Sequence, residues 1–559
     1  MKKIAKIIAV AGLIAFLSCA SEGDIYELPK PDSSYTALDL AGQAEAILRT
    51  GLADHQQRTQ ALFIYNQAEI VNDPQIPSYR QTKSRIELGK GLIYFYDVFE
   101  VFPALLNMIG VDINSLLSGM RKSGSPILAN SSQKIIYIQT KPMLLSAKLT
   151  CNAADLRDYL PTIDLLVSNM LIRSIGHLKK ALAENPDVSI FIENGALLLA
   201  PDNTLTPEDE SIILDFSGEI DNGDIGVMSG ILEILMAFVK ILTSYDGFLQ
   251  AMVNPALNPD CSPVPGTPEW EEIFGVYGTL DSDGGEERMT EAGVALQSAL
   301  TSIGNSFAFI ADETDNQADD IIAYLDCGLD GKCEGDEGYP GADEGESNGM
   351  YDTGEIWGMA SVGKILESML GSSPLLTQLS GLLNLNLLSN LMRAMSQSVA
   401  TSAPVDLVQL LLKPLLPALG MSATDQELYA MGFPALNLGA PFNPPWESIS
   451  ILEPLKNSNG ETIVESETGI GDHAHTWPPP FVRVDPPNGV EDPAYSFYPD
   501  TDEAGNTVGV MGGLLLMPIT TPDDFDADGN LIGEVDYKPM SNPVFNKIMT
   551  ILNMILGAL

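Results

Sequence analysis

The chain has 559 residues, a formal net charge of −46, and a composition that is 45% hydrophobic but only 19% charged. So acidic a protein repels nucleic-acid phosphates and anionic headgroups, which excludes a nucleic-acid partner, and so high an apolar fraction excludes a disordered acidic tail. At ~150 residues per domain, the length corresponds to roughly two to four folding units.

The N-terminus has the three parts of a secretory signal: basic Lys2, Lys3 and Lys6, an apolar run from Ile7 to Leu17, and a small-residue exit at Ser18-Cys19-Ala20. The run is too short to cross a hydrocarbon layer that needs ~20 residues in a helix. Residues 1–18 are therefore expected to be a cleaved signal. Phe16-Leu17-Ser18-Cys19 resembles the lipobox of bacterial lipoproteins, in the relaxed form familiar from spirochaete-like lipoproteins. The resemblance implies an acylated Cys19 and a lipid bilayer as partner. It also implies a place in the bacterial cell envelope, with the outer membrane or cell surface favoured over a periplasmic face. A cut after Ala20 by ordinary signal peptidase is the alternative. Residues 19–38, with Pro29 and Pro31, read as a tether. Loss of the three signal lysines leaves 26 basic against 75 acidic residues.

Residues 39–253 are expected to form a helical domain, beginning with Leu38, Ala41, Ala44 (or Glu45) and Leu48 at spacings of three and four. Helical hairpins are punctuated at Asn72-Asp73-Pro74, Gly110, the Ser123 to Ser132 stretch and Pro201 to Pro207. Lys134 to Ile138 and Val188 to Ile192 are islands that suit short strands or buried helix ends. Ala61, Tyr65, Ala68 and Pro74 resemble the second helix of a tetratricopeptide unit, over about fifteen residues. Leu88-Gly89 comes too far downstream to open a neighbouring repeat, so the spacing is read as close helix-pair packing.

Residues 254–357 are read as a linker and an acidic insert. From Asp326 the chain reads DCGLDGKCEGDE, and the twelve-residue frame of an EF-hand loop places Asp326, Asp330, the Lys332 carbonyl, Glu334 and Glu337 at ligand positions, with Gly331 at the sharp turn. From Glu344 it reads EGESNGMYDTGE. The same frame gives Glu344, Glu346, Asn348, the Met350 carbonyl, Asp352 and Glu355, with Gly349 at the turn. A hard cation takes six to eight oxygens, and a final glutamate supplies two of them. Only Gly338 to Asp343 separates the loops, too little for the helices of paired EF-hands. The pair resembles the helix-poor calcium loops of secreted bacterial proteins and thrombospondin type 3 repeats, and the resemblance implies calcium as the ligand. Beyond Cys19 the cysteines are Cys151, Cys261, Cys327 and Cys333, an even number that suits disulfides outside the cytoplasm. Cys327 with Cys333 is the favoured pairing, because both lie in one short loop.

Residues 358–432 are a leucine-rich helical segment, with 25 uncharged residues between Glu367 and Arg393. Pro374, Gly371, Gly381 and several amides make that stretch costly in lipid, so a buried hairpin is expected rather than a span. A groove for an acyl chain or partner helix is the second reading. Residues 433–559 are expected to form short hairpins, with turns at Asn457 to Gly460, Asp502 to Asn506 and Asp526 to Asn530, before an amphipathic helix over Val544 to Leu559. The fold class is thus mainly α: a helical-hairpin scaffold with an acidic calcium-loop insert and a C-terminal region of short β-hairpins and irregular structure.

Weaker signals are read as structure. Asp281 to Glu287 is a turn, and Asp524 to Asn530 is a hairpin turn because Val535 stands where a bidentate glutamate is needed. Asp472-His473-Ala474-His475 is a surface loop. Gly358 to Ile365 fails as a phosphate loop, since Ile365 replaces the required Ser or Thr. No nucleophile elbow or zinc-protease helix occurs. The sequence thus points to a non-enzymatic envelope lipoprotein with a structural or binding role and an envelope protein or apolar ligand as partner. A carrier of a hydrophobic solute or export cargo is the alternative, ahead of an envelope hydrolase.

Overall fold

The computed structural model describes residues 35–52, 54–108, 160–193, 195–198, 213–215, 217–244, 280, 284–314, 322–324, 326, 339–342, 345–348, 350–352, 357–359, 384–418, 422–443, 447–450, 455–456, 462–464, 474–477 and 515–539. Of these, 65% are helical and 8% are in strands, so the fold is mainly α. The helices are α1 (Ala37–Gly51), α2 (His55–Val71), α3 (Tyr79–Met108), α4 (Leu160–Glu184), α5 (Asn222–Ser244), α6 (Gly285–Asp312), α7 (Leu385–Thr401), α8 (Lys413–Ala418) and α9 (Asp425–Ala430). Described residues fall into two compact units. One is drawn from Met1–Thr150, Thr162–Glu233 and Asn305–Asn386, the other from Cys151–Pro161, Ile234–Gly304 and Leu387–Leu559.

In the first unit α1 starts at a reciprocal cap. Thr36 Oγ1 accepts from Asp39 N, and the Asp39 carboxylate accepts from Thr36 N. The helix buries Ala37, Leu40, Ala41, Ala44 and Leu48. Leu38, expected on that face, is 37% exposed, because it lies about a quarter-turn off the stripe. Asp54 caps α2 by accepting from Gln56 N and Gln57 N, and the helix stops before Asn72-Asp73-Pro74, where the punctuation placed its end. Ala61, Tyr65 and Ala68 are fully buried, which is the helix-pair packing expected of them. Tyr65 packs closely on Gly89 of α3: a Cβ on Gly89 would stand 2.1 Å from Tyr65 Cζ.

Helix α3 is buried on every side from Ile86 to Tyr96, so it has no polar face to give to water. The two charges in that span are pinned in different directions. Glu87 Oε2 meets His177 Nδ1 of α4 at 2.5 Å, and Lys90 Nζ meets Glu69 of α2 at 2.5 Å. Burial pushes the Glu87 carboxyl up, but His177, Lys180 and Lys90 outweigh it and hold the group below its ordinary value. Buried hydroxyls tie α3 to α4 again, with Ser174 Oγ donating to Gly91 O at 3.0 Å and Ser84 Oγ to Ala181 O at 2.8 Å. Beside them, strands β1 (Ile190–Ile192) and β4 (Gly218–Ile220) pair antiparallel, as do β2 (Ala196–Leu198) and β3 (Ile213–Asp215). Of the Val188 to Ile192 island, Ile190–Ile192 is therefore a strand.

In the second unit Leu280, Met289, Ala292, Leu300, Val399 and Phe442 form one core, with Met392 and Met395 of α7 against it. The described part of the leucine-rich stretch thus packs inward. Among the described residues α5 and α6 are long and apolar enough to cross a membrane, by length and composition alone. Arg288 Nε donates to Thr243 O at 2.8 Å and Lys240 meets Glu291 at 2.6 Å, joining the C-terminal turns of α5 to the start of α6.

A π turn at Val408–Leu412 leads into α8, with Lys413 N donating to Val408 O. Pro414 follows at once, and a proline cannot donate and clashes with the carbonyl four residues back, which widening the preceding turn relieves. Strands β7 (Ala435–Leu436), β12 (Leu515–Ile519) and β13 (Asp536–Pro539) form a three-stranded sheet in the order β13-β12-β7. The expected turn over Asp526 to Asn530 is present: Phe525 bridges Leu531, and Asp526 Oδ1 accepts from Asp528 N and Asn530 N. Leu531 N in turn donates to buried Asp425 of α9 at 3.0 Å. β8 (Glu447–Ser450) pairs with β11 (Ala474–Trp477) and β9 (Leu455–Lys456) with β10 (Thr462–Val464), all antiparallel, so strands flank the expected Asn457 to Gly460 turn. That turn itself lies outside the described residues, as do Lys134 to Ile138, Asp502 to Asn506 and Val544 to Leu559.

Candidate metal centre

Strand β5 (Ile322–Tyr324) pairs antiparallel with β6 (Trp357–Met359) in the register Ile322↔Met359 and Tyr324↔Trp357. Residues 325–356, which contain both acidic loops, therefore connect two paired strands. Strand rather than helix flanks the loops, consistent with a spacer too short for EF-hand helices. Tyr324 is buried, donates to Glu313 O at 3.2 Å, and meets the Tyr351 ring edge-on at 5.4 Å. Tyr351 in turn accepts from Leu385 N, at the start of α7, at 3.0 Å. The acidic connection is thus tied back to the body of its unit.

The sequence frames keep Asp326 in the first loop and Asn348 in the second. The structure joins them. Asp326 Oδ1 accepts from Asn348 N at 3.2 Å and its carbonyl accepts from Ser347 N at 3.3 Å. Asn348 Nδ2 then donates to Asp352 Oδ2 at 2.6 Å, and Asn348 Oδ1 accepts from Met350 N at 2.7 Å. Glu346 takes the Tyr339 hydroxyl at 2.6 Å. The turn closes through left-handed backbone at Gly345 (φ +97°) and Ser347 (φ +57°). The φ of Gly345 favours glycine, and a Cβ there would also lie 2.6 Å from Asp352 Oδ2, which would have to shift. Among the described residues the donors that meet these carboxylates include an amide, a phenol and backbone N–H groups, neutral groups that a hard cation can displace.

Of the expected ligand set, Asp326, Glu346, Asn348, Met350 and Asp352 are placed, with Met350 exposed. Asp330, Lys332, Glu334, Glu337, Glu344 and Glu355 lie outside the described residues, as do Cys19, Cys327 and Cys333. Among the described residues no three carboxylate, imidazole or thiolate groups gather as a metal ion would require. The donors that are placed are oxygens, the choice of calcium or magnesium rather than a transition metal.

The weaker motifs resolve as structure where they are described. Gly284, at φ +84°, opens α6, whose first turn takes Glu286 and Glu287. Asp526 is held below its ordinary carboxylate value by hydrogen bonds within its own turn, chiefly from Asn530. Val535 packs toward the core formed by Val408, Leu428, Tyr429 and Phe525. His475 lies on β11 opposite Ile449 of β8, so Ala474 and His475 are strand rather than the surface loop expected there, and Asp472 and His473 lie outside the described residues. Sequence reasoning missed the Glu87–His177 pair, and also Asp406, whose carboxylate takes the hydroxyls of Tyr429 and Tyr537. A Glu and a Lys three apart in the otherwise uncharged stretch Ile86 to Tyr96 was the available signal for the first. Comparison with protein-family models, with curated proteins and with solved structures returns no match.

Proposed function

We propose that the chain is a lipid-anchored, non-enzymatic protein of the bacterial envelope whose acidic insert is stiffened by calcium. The observation that carries the reading is the meeting of Asp326 with Asn348 and Asp352 between β5 and β6, which draws positions from both acidic loops together. Ten carboxylates fall between Asp326 and Glu355, and without a cation they repel one another. A Cys327–Cys333 disulfide would shorten the first loop before any ion binds. The anchor reading rests on the lipobox-like residues ending at Cys19 and is checked by intact mass and detergent partitioning against Cys19→Ala.

Extracellular sites of this chemistry bind calcium at roughly 10⁻⁴ to 10⁻³ M. About 1 mM calcium at the tighter end adds ~1.4 kcal/mol per site by mass action. The test is a thermal melt in calcium, magnesium or chelator, repeated after Glu337→Gln and Glu355→Gln, which remove the bidentate ligands. Calcium should raise the melting temperature by a few degrees, and magnesium, which holds its water, by much less. An unchanged melt in calcium, or a shift that survives both substitutions, sinks the calcium reading.

A further inference from the structure

The acidity of this protein is not spread evenly. Residues 20–180 hold 16 basic and 16 acidic side chains, whereas residues 181–559 hold 10 and 59. Although residues 20–39, next to Cys19, hold five acidic side chains and one basic, residues 20–180 as a whole therefore add no net repulsion at an anionic surface.

That stretch also carries exposed apolar side chains at one end of a helical layer. A three-residue connection folds α2 back on α1, and the Arg85–Glu45 and Gly89–Tyr65 contacts set α3 alongside both. The start of α1, the end of α2, the 72–78 connection and the start of α3 therefore lie together. Tyr35, Leu38, Ile70 and Ile76 are exposed there, at 49, 37, 55 and 49%. Among the described residues at this end the acids are engaged. The Asp39 carboxylate is held in the Thr36 cap, Glu69 is paired with Lys90, and exposed Asp73 accepts from Gln75 N at 2.9 Å. Arg80, exposed in the first turn of α3, adds a cation.

The chain enters the described structure at Tyr35 itself. Fifteen residues lie between it and Cys19, sixteen Cα–Cα steps that reach no more than about 55 Å fully extended and about 22 Å as a flexible coil. We infer that this end of the α1–α2–α3 layer rests on the bilayer, with Tyr35, Leu38, Ile70 and Ile76 at the headgroup boundary and Arg80 among the phosphates. Small apolar insertions of this kind dock a domain only when a second attachment holds it close, which is what an acyl chain supplies. The inference rests on the anchor proposed above.

The test separates the two ideas. The full chain with Cys19→Ala, carrying a hexahistidine in place of the signal, is held on phosphatidylcholine–phosphatidylglycerol vesicles by nickel-chelating lipid. Its N-terminus is then at a bilayer whether or not cells acylate it. Hydrogen exchange in peptides over residues 35–41 and 69–79 should slow about fivefold relative to the free protein. Peptides over 55–60 and 525–532 should not change, and Ile70→Ser with Ile76→Ser, both at exposed positions, should restore the free rate. Equal exchange on and off vesicles overturns the docking face. So does slowing that needs no lipid and grows with protein concentration, which assigns the face to a second copy of the chain. A wild-type intact mass without the diacylglyceryl group sinks the anchor alone, leaving the exchange result to judge the face.

Discussion

Glycine to alanine within a helix ordinarily stabilises a protein by about 0.8–1 kcal/mol, since alanine has less backbone freedom to lose. At Gly42 of α1 and Gly176 of α4 an added Cβ meets nothing within 4 Å, so that gain should appear undiminished. Gly89 of α3 should show the opposite sign. Its Cβ would sit 2.1 Å from both Cζ and Oη of Tyr65, a side chain with no exposed surface and helices on either side. Overpacking of this kind costs typically 1–3 kcal/mol, and an ångström-scale overlap with a rigid ring belongs at the upper end. Set against the helical gain, Gly89→Ala should destabilise by about 1–2 kcal/mol, or roughly 2–8 °C in a unit of this size. Denaturant and thermal melts of the three variants check it, read through probes of the first unit. Tyr65→Leu should recover part of the Gly89→Ala loss in a double-mutant cycle. If Gly89→Ala melts above the parent, as Gly42→Ala should, the close approach of α2 and α3 is wrong.

Tyr65→Phe should be neutral or stabilise by up to ~1 kcal/mol, because the buried hydroxyl it removes has no hydrogen-bond partner among the described residues; a loss above that in the same melt would show a partner. Glu87 is held below its ordinary pKa, so its contribution is complete above about pH 4.3 and is lost as pH falls through its folded value. Glu87→Gln should therefore flatten the stability profile between pH 5 and 2, and an acid limb as steep as the parent's would refute the pairing with His177. Burial pushes the Asp425 carboxyl up, but Leu531 N–H, Lys413 and Gln409 prevail and hold it low. Asp425→Asn should cost about 1–3 kcal/mol and loosen the Phe525 to Leu531 turn, seen as faster amide exchange at Leu531; an unchanged Leu531 amide would refute the link. Peptide mapping without reductant should join Cys327 to Cys333, and finding either joined to Cys151 or Cys261 would overturn that pairing.

Local pattern made part of this fold legible. The stripe of α1, the Ala61, Tyr65 and Ala68 face of α2, the strand at Ile190–Ile192 and the turn at Asp526 all follow from residues within a few positions of one another. The helix-poor character of the acidic loops was legible from the six residues between them. What could not be read is what joins distant residues. Strands β5 and β6 are three residues each, too short to leave a periodicity, and only their pairing reveals that both loops share one base. Asp326 was counted as the opening of one frame, whereas its carboxylate answers to the backbone of the other. Leu38 looked like core because a helical spacing marks a face only when the stripe's centre is known. The charge pins of α3 were hidden for a related reason: Glu87 and Lys90 find their partners 90 residues ahead and 21 behind.

Tyr351 has a consequence for any cation the loops take up. Its phenol oxygen receives the Leu385 N–H at the head of α7, and its ring lies against Tyr324 at the foot of the ribbon. One side chain therefore belongs both to the acidic turn and to the opening of a helix. Two equilibria that share a group are linked, and linkage runs both ways. An ion that steadies the turn would make fraying of Leu385 rarer, and whatever clamps the first turn of α7 would tighten the ion by the same factor. Calcium affinity measured on an excised loop peptide would then understate the affinity of the intact chain, and the shortfall would measure how firmly the helix holds its end of the bargain.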